Sequence, residues 1–458
     1  MTNWKHFLDE EQDRFLSELI EFVKIPSISA SPDYIDDVKD AADWVAKRII
    51  KAGGENVEVM QTGGHPCVYG DWLHAGSEKP TILIYGHFDV QPADPYDLWD
   101  TPPYDPVIRD EKVFGRGASD DKGGMLIPII SFEAIKETTG KLPVNVKFLF
   151  EGQEEIGSPE LPDFIAKHRR KFSCDMIFSS DGLQWTEDEA NLVTSLKGLV
   201  GAEIRVTGPT TDQHSGLHGA AIQNPISALN RILSSMKDQS GKICINDFYN
   251  NVIELSTEDK KQISEIPFSE EEYRTEVGVS DLAGEEGFST LERIWSRPTL
   301  DLNGIWGGFQ GEGIKTVLPS KACAKISCRL VANQDPSEIF ECVNKHVKKN
   351  LPDGVSFKLK KLSGLALPFR IPANHKSTMV AGKVLADVYG KEPFMIRAGA
   401  SIPILPIFKE ILGIDATVLA FTLDDENLHA PNEFFRLSSF SRGQKIYGRL
   451  YQLLGDYA

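Results

Sequence analysis

The stretch TILIYGHFDV, residues 81–90, decides how this chain folds. An uncharged run rich in β-branched residues leads directly into His87 and Asp89. A strand that is apolar on both sides is buried on both faces, which is the habit of a parallel sheet. Two runs of similar kind follow, VNVKFLF (144–150) and DMIFSS (175–180). Helical patterns cover roughly 8–24, 37–52, 122–138 and 159–171, with Pro128 a candidate kink in the third. Strands alternating with helices predict an α/β fold whose mostly parallel sheet is flanked by helices. Ligands of such sheets gather beyond the carboxyl ends of the strands. His87, Glu154, Glu155 and Asp181 all follow predicted strand ends.

The pattern changes after about Lys197. VGAEIRV, KACAKISCRLVAN and VSFKLKKL read as strands, and NPISALNRILSSM and DPSEIFECVNKHVKKN as helices. In the second strand Ala322, Ala324, Ile326, Cys328 and Leu330 share one face. Asp335 or Ser337 caps the second helix. This order predicts a small α+β domain with one open sheet face, carrying an acidic insertion over 241–312. From about 373 come a helix, the strand ATVLAFTL and a last helix, with His429 just after the strand. His429 joins the earlier candidate ligands only if this last part returns to the first. The expected domains are therefore 1–196 and 373–458 as two parts of one catalytic domain, with 197–372 inserted as a lid and dimerisation domain.

A length of 458 residues exceeds one compact core, which agrees with two domains. A net charge of −18 argues against nucleic acid and against an anionic membrane as partners. No apolar stretch is long enough to span a bilayer. The six cysteines form no C-x-x-C pair, which disfavours a thiolate zinc site. The first residues are acidic and amphipathic, unlike a signal peptide. A reduced, cytoplasmic setting is the expectation.

The chemistry-bearing residues are scattered. In GHFDV an extended backbone points His87 and Asp89 the same way, so the carboxylate can orient the imidazole; an ordinary surface turn would read the same. In GRGASDDKGG, Asp120 has two oxygens and can bridge two ions, although Ser119, Asp120 and Asp121 all suit a helix cap as well. EGQEEIGS places Glu154 and Glu155 side by side after an apolar strand, so that one can ligate while the other faces water; a solvated loop is the plainer alternative. Asp181 and His429 mean little alone. Together, His87, Asp120, Glu155, Asp181 and His429 look like the ligands of a two-metal centre, with Glu154 beside them as a base.

The order and spacing of these residues resemble the di-zinc metallopeptidase family of cytosolic dipeptidases, carnosinases, aminoacylases and glutamate carboxypeptidases. The longest shared run is GHFDVQPADPYDLWDTPPYDPVIRDEKVFGRGASDDKGG (86–124), and EGQEEIGS, HSGLHG, TVLPSKACAKISCRLV and SIPI continue it along the chain. The likeness is greatest to the carnosinase and cytosolic dipeptidase branch. It implies two divalent ions, zinc first with manganese or cobalt as competitors, bridged by Asp120. His87 and Asp181 would complete one site, and Glu155 and His429 the other. Glu154 would be the general base and Asp89 the brace of His87. His214 would bind the oxyanion from the neighbouring subunit of a homodimer. Arg329 would hold a substrate carboxylate, with Thr316, Gly399 and Ser401 as further contacts. The implied reaction is hydrolysis of dipeptides or short peptides with a free C-terminus. Deacylation of N-acyl amino acids is the alternative, and a non-catalytic metal-stabilised binding protein a more distant one. Where relatives read Glu-Gly-Gly-Ser-Ile-Pro, this chain has Ala398-Gly399-Ala400-Ser401-Ile402-Pro403, so an acid that could recognise a free amine is missing.

Overall fold

The computed structural model describes residues 3–399 and 401–456; Ala400, one of the residues of the departure noted above, lies outside them. The chain forms two compact units. The first comprises Met1–Thr194, Ile371–Ile396 and Pro403–Ala458, and the second Ser195–Arg370 with Arg397–Ile402.

The first unit is built on six strands in the spatial order Glu55–Met60, Cys67–Trp72, Asn145–Glu151, Thr81–His87, Met176–Ser179 and Ala416–Val418. The last four run parallel to one another, and the first two are antiparallel additions at one edge. Thr81–His87 sits between two parallel neighbours, and beyond its first residue it is wholly buried. On one face Ile82, Ile84, Val146 and Phe148 join the main core with the helices Ile35–Lys51, Gly124–Thr139 and Leu437–Gly455. On the other, Tyr85 meets Phe408 of the helix Ile404–Leu412 edge-on at 5.5 Å. The helix Gly124–Thr139 runs on through Pro128, although the proline removes the bond that an N–H there would make to the Gly124 carbonyl.

Several details differ from the sequence reading. The strand expected over ATVLAFTL is two short ones, Ala416–Val418 and Thr422–Leu423, and the strand Phe394–Ala398 and helix Ile404–Leu412 are additional. The first helical stretch is two helices, Trp4–Glu10 and Gln12–Val23. The helix expected over 159–171 is only Leu161–Lys167. The antiparallel edge strands Glu55–Met60 and Cys67–Trp72 are additional.

The second unit holds four antiparallel strands in the order Thr299–Gly307, Lys321–Leu330, Gly198–Thr207 and Ser356–Lys361. The helices Pro225–Ser234 and Pro336–Asn350 pack with the sheet in one core around Ile204, Leu229, Ala324, Ile326 and Val343. Asp335 caps the second of them by accepting from the amides of Ser337 and Glu338. Across the opposite sheet face runs the row Lys325, Glu203 and Lys360, polar as an open face requires. The strand Thr299–Gly307 lies within the stretch read as an acidic insertion. Its pairing register shifts between Leu302 and Gly304, which breaks the two-residue alternation that marks a strand in sequence. The same stretch also forms the helices Thr257–Ser264, Glu270–Val277 and Thr290–Ser296.

Candidate metal centre

The strand Thr81–His87 delivers His87 at its carboxyl end, where the imidazole is buried. The approach is close at Gly86: a Cβ there would stand 2.5 Å from the Ser180 hydroxyl and 2.7 Å from the Asp121 carboxylate. His87 Nε2 lies 3.0 Å from Asp120 Oδ1. Its Nδ1 faces the main-chain carbonyl of Asp89 at 3.1 Å and the Asp89 carboxylate at 3.5 Å. That carboxylate also accepts from the amides of Glu154 and Glu155, at 3.1 Å each. Asp89 thus orients the histidine and pins the two-glutamate loop with one side chain.

Asp120 is reached through a loop that turns at Gly117, whose φ of +82° and tight contact with Val90 leave no room for a side chain. The other Asp120 oxygen lies 3.1 Å from His429 Nε2. His429 Nε2 is in turn 3.3 Å from Glu155, whose Oε2 also accepts from Gln91 at 2.8 Å. His429 has a φ of +58°, unusual for a residue with a side chain and a strain that surrounding contacts must hold.

Two groups of ligand atoms result, His87–Asp120–Asp181 and Asp120–Glu155–His429, each gathered within 4.8 Å, with Asp120 common to both. Glu154 stands outside both groups while feeling the charges of His87, Asp181, Glu155 and Asp120. Burial, reinforced by neighbouring acids, pushes Glu154 and Asp121 well above the usual carboxylate range and Asp181 to about 7. Burial also raises Asp120, but hydrogen bonds from His429 and His87 outweigh it and hold the group low. Hydrogen bonding to Asp120 and Glu155 lifts His429 to about 10. So many carboxylates in one place repel one another, and positive charge relieves them. Two imidazoles with three carboxylates, one of them offering an oxygen to each group, is a donor set that suits two divalent ions.

Three supporting residues were not singled out in the sequence. Glu433, fully buried, accepts from Arg116 Nη1 at 2.6 Å and from the amides of Gly117, Ser119 and Asp120 at 2.9, 3.0 and 3.1 Å. It fixes the loop that carries Asp120. Glu426 accepts from the Ser119 hydroxyl and from the Leu423 amide. Arg116 lies inside the quoted GRGASDD motif, and Glu433 directly precedes Phe434 and Phe435; a charge set against two aromatic residues was the available signal.

The remaining sequence candidates belong to the second unit. His214 and Thr316 lie together: His214 pairs with Val317 across a short ribbon, and the amide after His214 donates to the Thr316 carbonyl at 3.0 Å. The exposed His214 ring accepts the Gly216 amide at Nδ1, 3.0 Å, which leaves Nε2 to carry the proton. Arg329 Nη1 donates to the Ser401 hydroxyl at 3.3 Å. Gly399 adjoins the helix Thr290–Ser296, where a Cβ would meet the Ile294 carbonyl at 3.6 Å.

Among the described residues no helix is long and apolar enough to cross a membrane. The sequence is 32% identical over 456 residues to the Cys-Gly metallodipeptidase dug1 of Schizosaccharomyces pombe, covering 96% of this chain and 95% of that one. It is 31% identical to the Beta-Ala-His dipeptidase of Mus musculus, covering 97% and 94%. Among solved structures, the M20 family metallo-carboxypeptidase Sso-CP2 from Sulfolobus solfataricus superposes with a TM-score of 0.84 at 32% identity, covering 96% of this chain and 99% of that one. Residues 83–453 match peptidase family M20/M25/M40, and with the paired ligand groups just described the chain belongs to that family as a metallopeptidase.

Proposed function

We propose that the protein hydrolyses the amide bond of dipeptides or short peptides that end in a free carboxylate. The observation that carries this reading is the pair of ligand groups sharing Asp120, with Glu154 beside them and outside both. His87 and Asp181 would hold one divalent ion, Glu155 and His429 the other, and Asp120 both. Zinc is the first expectation, with manganese and cobalt competing for the same oxygen and imidazole donors. When bound, such ions acidify water and polarise an amide carbonyl. Glu154, beside both ligand groups and part of neither, accepts a proton from the attacking water and returns it to the departing nitrogen. Asp89 holds His87 and the Glu154 amide in place while this happens. Arg329 and Ser401 would receive the substrate carboxylate, the guanidinium offering a planar two-pronged donor, with Thr316 and Gly399 as neighbouring contacts. His214, exposed with its Nε2 proton free to donate, is suited to bind the oxyanion of a second subunit.

A homodimer is part of this reading. The strand Thr299–Gly307 lies at an edge of its sheet and exposes Leu302, Ile305 and Trp306, a surface suited to pairing with a second copy.

Names of relatives support dipeptides as substrates: one is a Cys-Gly dipeptidase and another a Beta-Ala-His dipeptidase. Ala398, standing where an acid is expected, favours a second reading in which the amine end is blocked, as in N-acyl amino acids. Metal-reconstituted protein assayed on dipeptides and on their N-acetylated forms separates the two. Cleavage of the free dipeptides upholds the first reading; cleavage of the acetylated forms alone replaces it with the second. Elemental analysis of the protein as purified, before reconstitution, identifies the metal.

A further inference from the structure

Lys197 immediately precedes the strand Gly198–Thr207 and is 3% exposed. Its ammonium donates to the carbonyl of Arg293 at 3.2 Å, and among the described residues neither it nor Arg329 forms an ion pair. The ladder sets Leu199 opposite Arg329 and Gly198 opposite Leu330. Side-chain alternation then puts Lys197 on the face of Arg329, as its diagonal neighbour. Ser401 links them, donating to the Lys197 carbonyl while accepting from the Arg329 guanidinium. On the other side of Arg329, the strand Thr299–Gly307 contributes Asp301, the carboxylate whose charge reaches Lys197. Asp301 accepts from the Thr299 hydroxyl at 2.8 Å and lies 3.9 Å from the Lys237 ammonium, so it serves other partners. The helix Thr290–Ser296 offers Lys197 a carbonyl and no charge.

An ammonium removed from water with no counter-ion is costly, and a nearby guanidinium makes it more so. Burial first, and Arg329 second, draw Lys197 down to about 7. Lys197 and Arg329 thus feel each other's charge across Ser401, and among the described residues no carboxylate is paired with either. We propose that Lys197 is a specificity-determining residue, acting with Arg329 and Ser401 to require a negative charge at the C-terminal end of the substrate. This rests on the reading that Arg329 receives that end. The arriving carboxylate supplies the missing charge to both cations at once. An uncharged C-terminus leaves both unpaired, so discrimination exceeds what one arginine gives.

The test compares a dipeptide with its C-terminal amide, using the full-length, metal-reconstituted protein and the variants Lys197→Met, Lys197→Arg and Arg329→Met. One unit charge several ångströms away in a medium of intermediate dielectric predicts an acid-over-amide preference in kcat/KM reduced on the order of tenfold to thirtyfold in Lys197→Met. The loss appears in KM for the acid, and Lys197→Arg restores it. Loss of preference in Arg329→Met alone, with Lys197→Met unchanged or lowering both substrates equally, overturns the role of Lys197. An unaltered preference in Arg329→Met removes the carboxylate reading itself, and this inference with it.

Discussion

The Glu433–Arg116 pair offers the sharpest test of how the metal loop is held. The Glu433 carboxylate receives four donors, the Arg116 guanidinium and the amides of Gly117, Ser119 and Asp120. Glu433→Gln keeps the shape and turns one accepting oxygen into an amide nitrogen. Either Ser119 and Asp120, or Gly117 and Arg116, then face a second donor. Each buried hydrogen bond so lost costs about 1–3 kcal/mol. Loss of the negative charge also leaves Arg116 buried without a counter-ion, which makes removal of one partner worth about 3–5 kcal/mol. Part of that cost falls on the Asp120 backbone, so metal affinity should weaken about 10–100-fold, the usual effect of removing a residue that orients a ligand. Arg116→Met should destabilise by a similar amount while leaving the three amide bonds to Glu433 intact. The assays are competition with a chelator of known affinity and urea unfolding of the metal-free protein. If Glu433→Gln binds metal as tightly as the parent while Arg116→Met does not, the amide bonds are not what positions Asp120, and the reasoning fails.

Glu154→Gln should keep its metal and lose about 10²–10⁴-fold in kcat, read by elemental analysis beside the peptidase assay; undiminished hydrolysis would rule out its role as base. His429→Ala removes one imidazole and leaves the His87–Asp120–Asp181 group whole, so bound metal should fall from about two equivalents towards one; two tightly held equivalents would contradict the ligand assignment. Ile305→Lys places a charge on the exposed edge strand and should turn a dimer into a monomer by light scattering; an unchanged mass points the interface elsewhere.

The parallel sheet and the grouping of the ligand candidates at its strand ends were legible because burial leaves a signature in residue types. The largely apolar runs 81–86, 144–150 and 175–180 are short and rich in β-branched and aromatic residues, which reads as interior strands, and ligand candidates after them gather as a parallel topology leads one to expect. Glu433 escaped notice because its partners are backbone amides more than 300 positions away, which no local pattern records. The strand Thr299–Gly307 was hidden by its register shift and by outward-facing Leu302 and Ile305, which defeat the inside–outside rhythm. Lys197 sits between two strands and looks like any exposed lysine until the burial of its neighbours is known.

The discontinuity of the first unit also orders events in time. His87, Asp120, Glu154, Glu155 and Asp181 leave the ribosome early, whereas His429 and Glu433 follow about 250 residues after Asp181. At about 5–20 residues per second that is a delay of roughly 12–50 s. Throughout it, the nascent chain carries a cluster of carboxylates with one imidazole and no Glu433 to fix the Asp120 loop. Completion of both ligand groups therefore waits until His429 and Glu433 have been made, and a chain cut short before His429 would lack the second group altogether.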